Sequence, residues 1–447
     1  MEAETRAASS SALSFWMDAS HRSSPALDQA VETDVVVVGA GYTGLSTALA
    51  LREAGLSVAV LERDVAGSGA SGRNCGQVGA DLGKSLTLLR RHLGLERARE
   101  AAAYLKTAIA YLEGVIRDRR IDCAWEPVGN VFAGIHPSQS AFFERAARNA
   151  EALGIPVRVL TDADLRAKGL PAAIVCGYHE QIGGSLDPGR YVRGLRRAAL
   201  ESGALLFERS PVRAIDDARL VHVRTSRGGV RARFCVLATN AYTPQLGWLR
   251  RKLMPAAVSA LVTNRLSDAQ RERLGWAGRE PLYTAHHVLE NLRWTHDDRL
   301  LVGTKRVRVG FGTLPPGGER RAWEDLERVL RERFPELGPI GVAQRWTGWV
   351  ALTADFLPVF GRTGRHGNVF YGGGYGGHGV SLATYAGRTL CDLVLERDPG
   401  PSRVLVDRRV PPIPPEPLRW LATQAFLGTM MYLDRRVDRR ARALGRG

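Results

Sequence analysis

Lysine is nearly missing from this chain of 447 residues. It stands only at positions 84, 106, 168, 252 and 305, so 57 of the 62 basic residues are arginine. A formal charge of +16 would ordinarily raise nucleic acid or an anionic membrane as partners. The arginines are spread along the chain, however, and no basic run is interleaved with aromatics as a single-strand binder needs. Nucleic acid is therefore not an expected partner, and the charge implies at most attraction of an anionic substrate or acceptor. Cysteine is scarce as well: five residues, at 75, 123, 176, 235 and 391, far apart and never spaced CxxC. That excludes a disulfide framework and a paired zinc site, and no metal is expected. Apolar runs never reach the roughly 18 residues of a spanning helix. The start of the chain, through Asp34, has no apolar stretch behind a basic one, so it does not read as a secretory signal. The expectation is a cytoplasmic protein.

Glycine, by contrast, is abundant at 49 residues, which marks tight turns or close backbone approach to a ligand. Hydrophobic residues at 45% and charged residues at 24% exclude disordered and fibrous classes. The length leaves room for about two or three domains.

The glycines begin to explain themselves near the start. Asp34-Val-Val-Val-Val38 reads as a strand buried on both faces. It runs into Gly39-Ala-Gly41-Tyr42-Thr43-Gly44, after which Leu45, Ala48, Leu49 and Leu51 recur at helical spacing up to Ala54-Gly55. Val58-Ala-Val-Leu61 is a second buried strand, closed by Glu62 and followed by Arg63. A lone GxGxxG is weak, but here strand, helix and terminal carboxylate all stand in place, which is a dinucleotide-binding fingerprint. Gly39 permits the turn, Gly41 admits a pyrophosphate, and Gly44 lets helix and strand pack closely. The helix N-terminus offers unpaired N–H groups and a positive dipole end. Glu62 can accept both ribose hydroxyls, which disfavours a 2′-phosphate.

A second glycine loop follows, Gly67-Ser-Gly69-Ala70-Ser71-Gly72-Arg73-Asn74-Cys75-Gly76. A nicotinamide enzyme has no need of it. A flavin does, because its ribityl and ring groups continue past the pyrophosphate. The bland alternative is a surface loop.

The middle of the chain is less legible. Residues 90–119 and 139–153 have helical texture, while 124–135, 255–263, 282–295 and 300–303 alternate like strands of a mixed sheet. Asp187-Pro188 opens another helix. Residues 204–208 and 234–238 return to buried-strand character. No second GxGxxG in strand context lies between 150 and 340, which disfavours a separate NADPH domain.

A last strong signal is Asn368-Val-Phe-Tyr371, then Gly372-Gly-Gly-Tyr375-Gly376-Gly377-His378-Gly379, then a helix over 380–396. Strand, glycine loop and helix again present backbone N–H groups to a buried acceptor. The N1–C2=O edge of a flavin, which becomes negative on reduction, suits it. His378 is a candidate positive charge at that edge and equally a structural residue. Beyond Pro399 a proline-rich stretch, 411–417, leads to an amphipathic segment, 418–444, ending in Arg435, Arg436, Arg439, Arg440 and Arg442. Docking on its own domain is the expected fate, with a membrane-surface helix as the alternative.

These motifs, with Ser14-Phe-Trp16, Ala238-Thr239-Asn-Ala-Tyr242, Arg299–Gly303 and Trp346-Thr-Gly348…Pro358, resemble the D-amino-acid oxidase and glycine oxidase superfamily, and within it the γ-glutamylputrescine oxidases. The resemblance covers roughly residues 13 to 433. It implies an α/β protein with a Rossmann-like FAD-binding domain built from separated segments, and a mixed-sheet α+β substrate domain. The implied division is an N-terminal arm over 1–33; FAD-binding segments 34–120, 186–254 and 346–399; substrate segments 121–185 and 255–345; and a linker with C-terminal helix over 400–447. FAD contacts fall on the three loops, on Glu62 and Arg63, and on Val212 and Thr239.

Departures from the pattern narrow the substrate. Where amino-acid oxidases place an arginine for the substrate carboxylate, this chain has Val350, which cannot pair with one. Where sarcosine oxidases link the flavin through a cysteine, it has Gly348, so the FAD is expected to be non-covalent. Leu301 falls where those enzymes place a lysine that helps oxygen react. Cys75 replaces a glycine and reads as a buried, inert thiol.

The expected activity is oxidation of an amine, polyamine-like or derived from an amino acid, to an imine that hydrolyses to a carbonyl. Oxygen or another acceptor reoxidises the flavin. Trp346, Tyr375 and Arg293 are the candidate pocket residues, with His378 at the flavin edge. Two alternatives stay open: oxidation of a biosynthetic intermediate at a C–N or N–N bond, and a non-catalytic, membrane-associated protein stabilised by FAD.

Overall fold

The computed structural model describes residues 14–17, 23–83, 86–312 and 316–445. Most of the expected N-terminal arm, residues 1–13 and 18–22, lies outside them.

Alternation along the first strand, Ala30–Val38, organises the nucleotide-binding half. Val35 and Val37 enter a core shared with Leu45 and Leu51 of the helix Tyr42–Glu53 and with Leu382 and Leu390 of the helix Gly379–Val394. Val36 and Val38 enter a second core on the opposite face. Burial on both faces is what a continuous β-branched run requires. The strand is flanked in parallel by Val58–Leu61 and Gly229–Leu237, and outward by Leu205–Phe207 and Val369–Gly373, also parallel. Val359–Thr363 closes one edge antiparallel, and Ala214–Asp216 and Val221–Arg224 form a meander on Gly229–Leu237.

The second sheet also has eight strands, in the order Val342–Leu352, Met254–Thr263, Leu300–Thr304, Glu290–Trp294, Leu282–Thr284, Asn130–Gly134, Cys176–Glu180 and Val157–Val159. Only the pair Leu282–Thr284 and Asn130–Gly134 among these neighbours is parallel. It is the mixed sheet that the alternating segments predict, and the chain visits the two sheets in turn.

Several expected boundaries move. The strand Val342–Leu352 crosses the division placed at 345/346: it pairs along its length with Met254–Thr263, so residues 346–352 join the second sheet. The segment 124–135 becomes a strand only from Asn130. Residues 282–295 split into two strands, because Asp434 takes the N–H groups of His287 and Val288, at 2.8 and 2.9 Å, and holds the intervening loop out of the ladder.

Asp434 belongs to the C-terminal helix, Leu418–Ala443, which docks on its own chain. Its Asp438 meets Arg333 at 2.7 Å, Lys305 at 3.0 Å and His286 at 3.2 Å, while Glu290 takes the other side of the same cations. Burial would raise both carboxyls, but the adjoining positive groups hold them well below the usual carboxylate range. His286, Glu290 and Asp438 have the spacing of a metal site, yet the ammonium of Lys305 and the guanidinium of Arg333 already neutralise the carboxylates. Leu418, Leu421, Phe426 and Tyr432 on the same helix stay exposed. Among the described residues no helix is long and apolar enough to cross a membrane.

Candidate active site

A cavity of about 1570 Å³ lies between the two sheets, and all three glycine loops line it. At its nucleotide end, Gly39 sits at φ +104° and the helix Tyr42–Glu53 starts at Gly41 with no side-chain cap and no acid in its first turn. Its N-terminal dipole end is therefore available to an anion. A Cβ on Gly41 would fall 2.8 Å from Ser71 Oγ, the atom that accepts the Tyr42 N–H at 2.9 Å. Thr43 lines the cavity beside it, whereas Gly44 does not: a Cβ there would lie 1.8 Å from the Gly39 carbonyl, so its part is packing. Glu62 accepts the N–H groups of Ala40 and Asp64 at 2.9 and 3.0 Å, and burial raises its carboxyl. Arg63 lies over the Tyr242 ring at 4.8 Å. Val212 and Thr239 complete this end.

The second loop is held from beneath. Asn74 Nδ2 donates to the carbonyls of Ala70 and Ser71, at 3.1 and 2.8 Å, and its Oδ1 accepts the Gly76 N–H at 2.7 Å. Gly69, Ala70, Ser71, Arg73 and Asn74 all face the cavity. Trp16 and Trp346 donate their indole N–H groups to the carbonyls of Asn74 and Arg73, at 2.9 and 2.8 Å. Trp346 thus lies under the loop and does not line the cavity. Arg293 lies there too: its guanidinium bonds the Leu186 carbonyl at 2.9 Å, stands over Trp16 at 5.3 Å, and is pushed down to about 10 by burial. Both side chains are covered by residues 73–76, which the strand pattern alone did not reveal. Leu301 is packed in the same cluster. Cys75 lines the cavity as a thiol, raised to about 11 by burial.

In the third loop, Tyr375 is buried and its hydroxyl meets Thr43 Oγ1 at 2.8 Å, tying this loop to the first helix. Gly376, Gly377 and Gly379 line the cavity. His378 precedes the helix Gly379–Val394, which has no side-chain cap. Its Nε2 is 4.0 Å from Asp81, and its buried Nδ1 finds no partner among the described residues. Gln77, also on the cavity, leaves both amide atoms buried and unpartnered among the described residues. Two uncapped helix starts, glycines where side chains would intrude, and orphaned polar atoms between them fit a bound flavin dinucleotide.

The opposite wall comes from the second sheet: Val258, Ser259, Ala260, Asn291, Val350 and Leu352, with Phe132, Tyr178, Glu180 and Tyr283 farther along. Among the described residues this share of the wall carries no lysine or arginine and a single carboxylate, Glu180. Thr423, Phe426, Leu427 and Met430 of the C-terminal helix close over it, with Phe426 6.2 Å from Phe356.

Residues 34–393 match the family described as DAO, FAD dependent oxidoreductase. The chain belongs to the DAO family. Gamma-glutamylputrescine oxidoreductase of Escherichia coli K12 is 32% identical over 378 residues, covering 82% of this chain and 85% of that protein. Among solved structures, glycine oxidase from Geobacillus kaustophilus aligns with a TM-score of 0.68 at 20% identity, covering 82% of this chain and 96% of that one. L-Amino acid deaminase from Proteus myxofaciens aligns at 0.72 and 17%, covering 89% and 97%. The fold is thus the DAO fold, and the protein is an FAD-dependent oxidoreductase.

Sequence reading passed over several residues of this DAO-family cavity: Gln77, Asp81, Phe132, Tyr178, Glu180 and Tyr283. The one available signal was Glu180, a carboxylate at the end of the strand Cys176–Glu180, where burial is 1% exposed.

Proposed function

We propose that the enzyme oxidises a C–N bond of an amine lacking a carboxylate beside the reacting carbon, giving an imine that hydrolyses to a carbonyl. The observation that carries this reading is the second-sheet wall facing the flavin site, which offers Val350 and neutral neighbours and no lysine or arginine among the described residues; Arg419 of the C-terminal helix also lines the cavity, but its guanidinium is engaged by Glu416 and the carbonyls of Gly310 and Gly312. A carboxylate placed there would lose its hydration without a cationic partner. Bound FAD supplies the two-electron acceptor for the reaction. The chain's part is to hold the ring between the second and third loops, to aim the N–H groups at the start of Gly379–Val394 toward its electron-rich edge, and to keep water from the reacting carbon with the C-terminal helix. An amine gives up hydride only once its nitrogen is neutral, and positioning then supplies most of the rate.

Turnover would require an electron acceptor, oxygen or another, to regenerate the FAD that the three glycine loops would hold. Position 301 carries leucine and so offers no positive charge to assist oxygen, which supports an acceptor other than oxygen. Candidate amines added to the yellow protein without oxygen test the reading: the visible flavin band should bleach, faster as pH rises through the amine pKa. A band that no amine bleaches, in protein that retains its flavin, overturns it.

A further inference from the structure

One lobe of the cavity is built for a charge that the amine-oxidation chemistry does not use. Phe132 and Tyr283 stack at 4.9 Å with planes at 23°, and Tyr178 and Phe142 meet Phe132 edge-on at 5.5 and 5.8 Å. All four rings line the cavity, and Phe132, Phe142 and Tyr283 are only half-buried. Behind them Glu180 is 1% exposed. The Tyr283 hydroxyl donates to one of its oxygens, and the Ala80 N–H donates to the other at 3.2 Å.

Glu180 has no ion-pair partner among the described residues. Burial first, with the nearby Asp81 adding to it, raises its carboxyl to about 7. Asp81 also lines the lobe, and His378 stands 4.0 Å from it. Asn130, opposite Glu180 in the strand register, is fully buried, and its Oδ1 has no donor among the described residues. Two acids and one unpartnered acceptor among the described residues, behind electron-rich rings, suit a cationic group. Ring faces attract an ammonium through their quadrupole, and a tyrosine whose hydroxyl donates to a carboxylate presents a more negative face.

We infer that the lobe formed by Phe132, Tyr178, Tyr283, Asp81 and Glu180 binds a second cationic group of the substrate, so that the enzyme acts on diamines or longer polyamines held by the end that is not oxidised. This rests on the amine-oxidising reading above. The lobe keeps its guest charged, whereas the nitrogen that loses hydride must be neutral. The two demands cannot be met by one nitrogen, so the caged group is the distal one.

The test compares α,ω-diamines of three to eight carbons with the monoamines of equal length, using the holoenzyme. The best diamine should exceed its matched monoamine in kcat/KM by about 100-fold, and Glu180→Gln should lower that ratio about tenfold or more, chiefly through KM. Hexyltrimethylammonium should compete with the diamine on the unmodified enzyme, and the isosteric neutral hydrocarbon should not. This arm holds even if the variant fails to fold. Equal rates with monoamines and diamines, or an unaltered ratio in Glu180→Gln, overturn the inference while leaving amine oxidation standing. Absence of flavin bleaching by both series overturns the reading on which it rests.

Discussion

Trp16 and Trp346 meet edge to face, 6.3 Å apart with planes at 77°, and each fastens one carbonyl of the loop that lies across the cavity. The two donors act on adjacent residues, Asn74 and Arg73, so the pair sets the height of that backbone above the second sheet. Replacing Trp346 by Phe keeps a ring in the cluster and removes the N–H. The Arg73 carbonyl then loses a buried donor, at a cost of about 1–2 kcal/mol. The expected result is a lower Tm and weaker FAD binding, read by fluorescence titration of the apoprotein. An unchanged FAD affinity would show that the loop keeps its position without the indole.

Gly41 gives a sharper separation of fold from cofactor. Its added Cβ meets only Ser71, at 2.8 Å to the hydroxyl, which can rotate, whereas one on Gly44 meets backbone at 1.8 Å. Gly41→Ala should therefore fold and lose FAD affinity about tenfold or more, by intruding where a pyrophosphate approaches. Gly44→Ala should fail earlier, as lost soluble yield or a collapsed Tm in apoprotein. If the two variants behave alike, the division of labour between these glycines is wrong.

That contrast also marks how far the sequence could be read. Glycine loops joined to strands are local signals: Gly39–Gly44 and Gly376–Gly379 each lie within one strand–turn–helix unit, and Gly69–Asn74 follows closely on the strand Val58–Leu61, so each is legible from its immediate sequence neighbours. The substrate wall is not local. Phe132, Glu180 and Tyr283 come from three strands, adjacent only because Leu282–Thr284 pairs in parallel with Asn130–Gly134, itself antiparallel to Cys176–Glu180. A parallel pairing between segments 150 residues apart has no signature in hydrophobic alternation. Arg293 and Trp346 show the converse: the sequence offers both as candidate pocket residues, but nothing in it tells that residues 73–76 would cover them.

Acid should release the C-terminal helix. Glu290 and Asp438 are held well below their unfolded values by Arg333, Lys305 and His286. A carboxylate of this kind contributes its stability above the unfolded pKa, roughly 3.9 to 4.3, and loses it as pH falls through the lower folded value. The share of Tm that these two carboxylates supply should therefore stay level above about pH 5 and decline below about pH 4. Asp438→Asn leaves Arg333 and Lys305 buried with one fewer counter-charge and should cost about 3 kcal/mol at neutral pH. It should also flatten the acid decline. Thermal denaturation of both proteins across this range decides the matter, and an acid slope identical in the two would remove Asp438 from the account.

Val350 offers a test by gain rather than loss. It faces the cavity from the strand Val342–Leu352, opposite Ala256 in the ladder. Arginine at this position would supply a bidentate donor in a wall that has no lysine or arginine among the described residues. The present enzyme should be insensitive to short aliphatic carboxylates. Val350→Arg should be inhibited by them competitively, about tenfold more tightly, with KM for an unsubstituted amine raised by the added charge. The variant keeps the backbone ladder intact, so loss of folding is not the expected outcome. Strong inhibition of the unmodified enzyme by the same carboxylates would mean that some other cation reaches the reacting end of the cavity, and the case for an amine without a neighbouring carboxylate would fall with it.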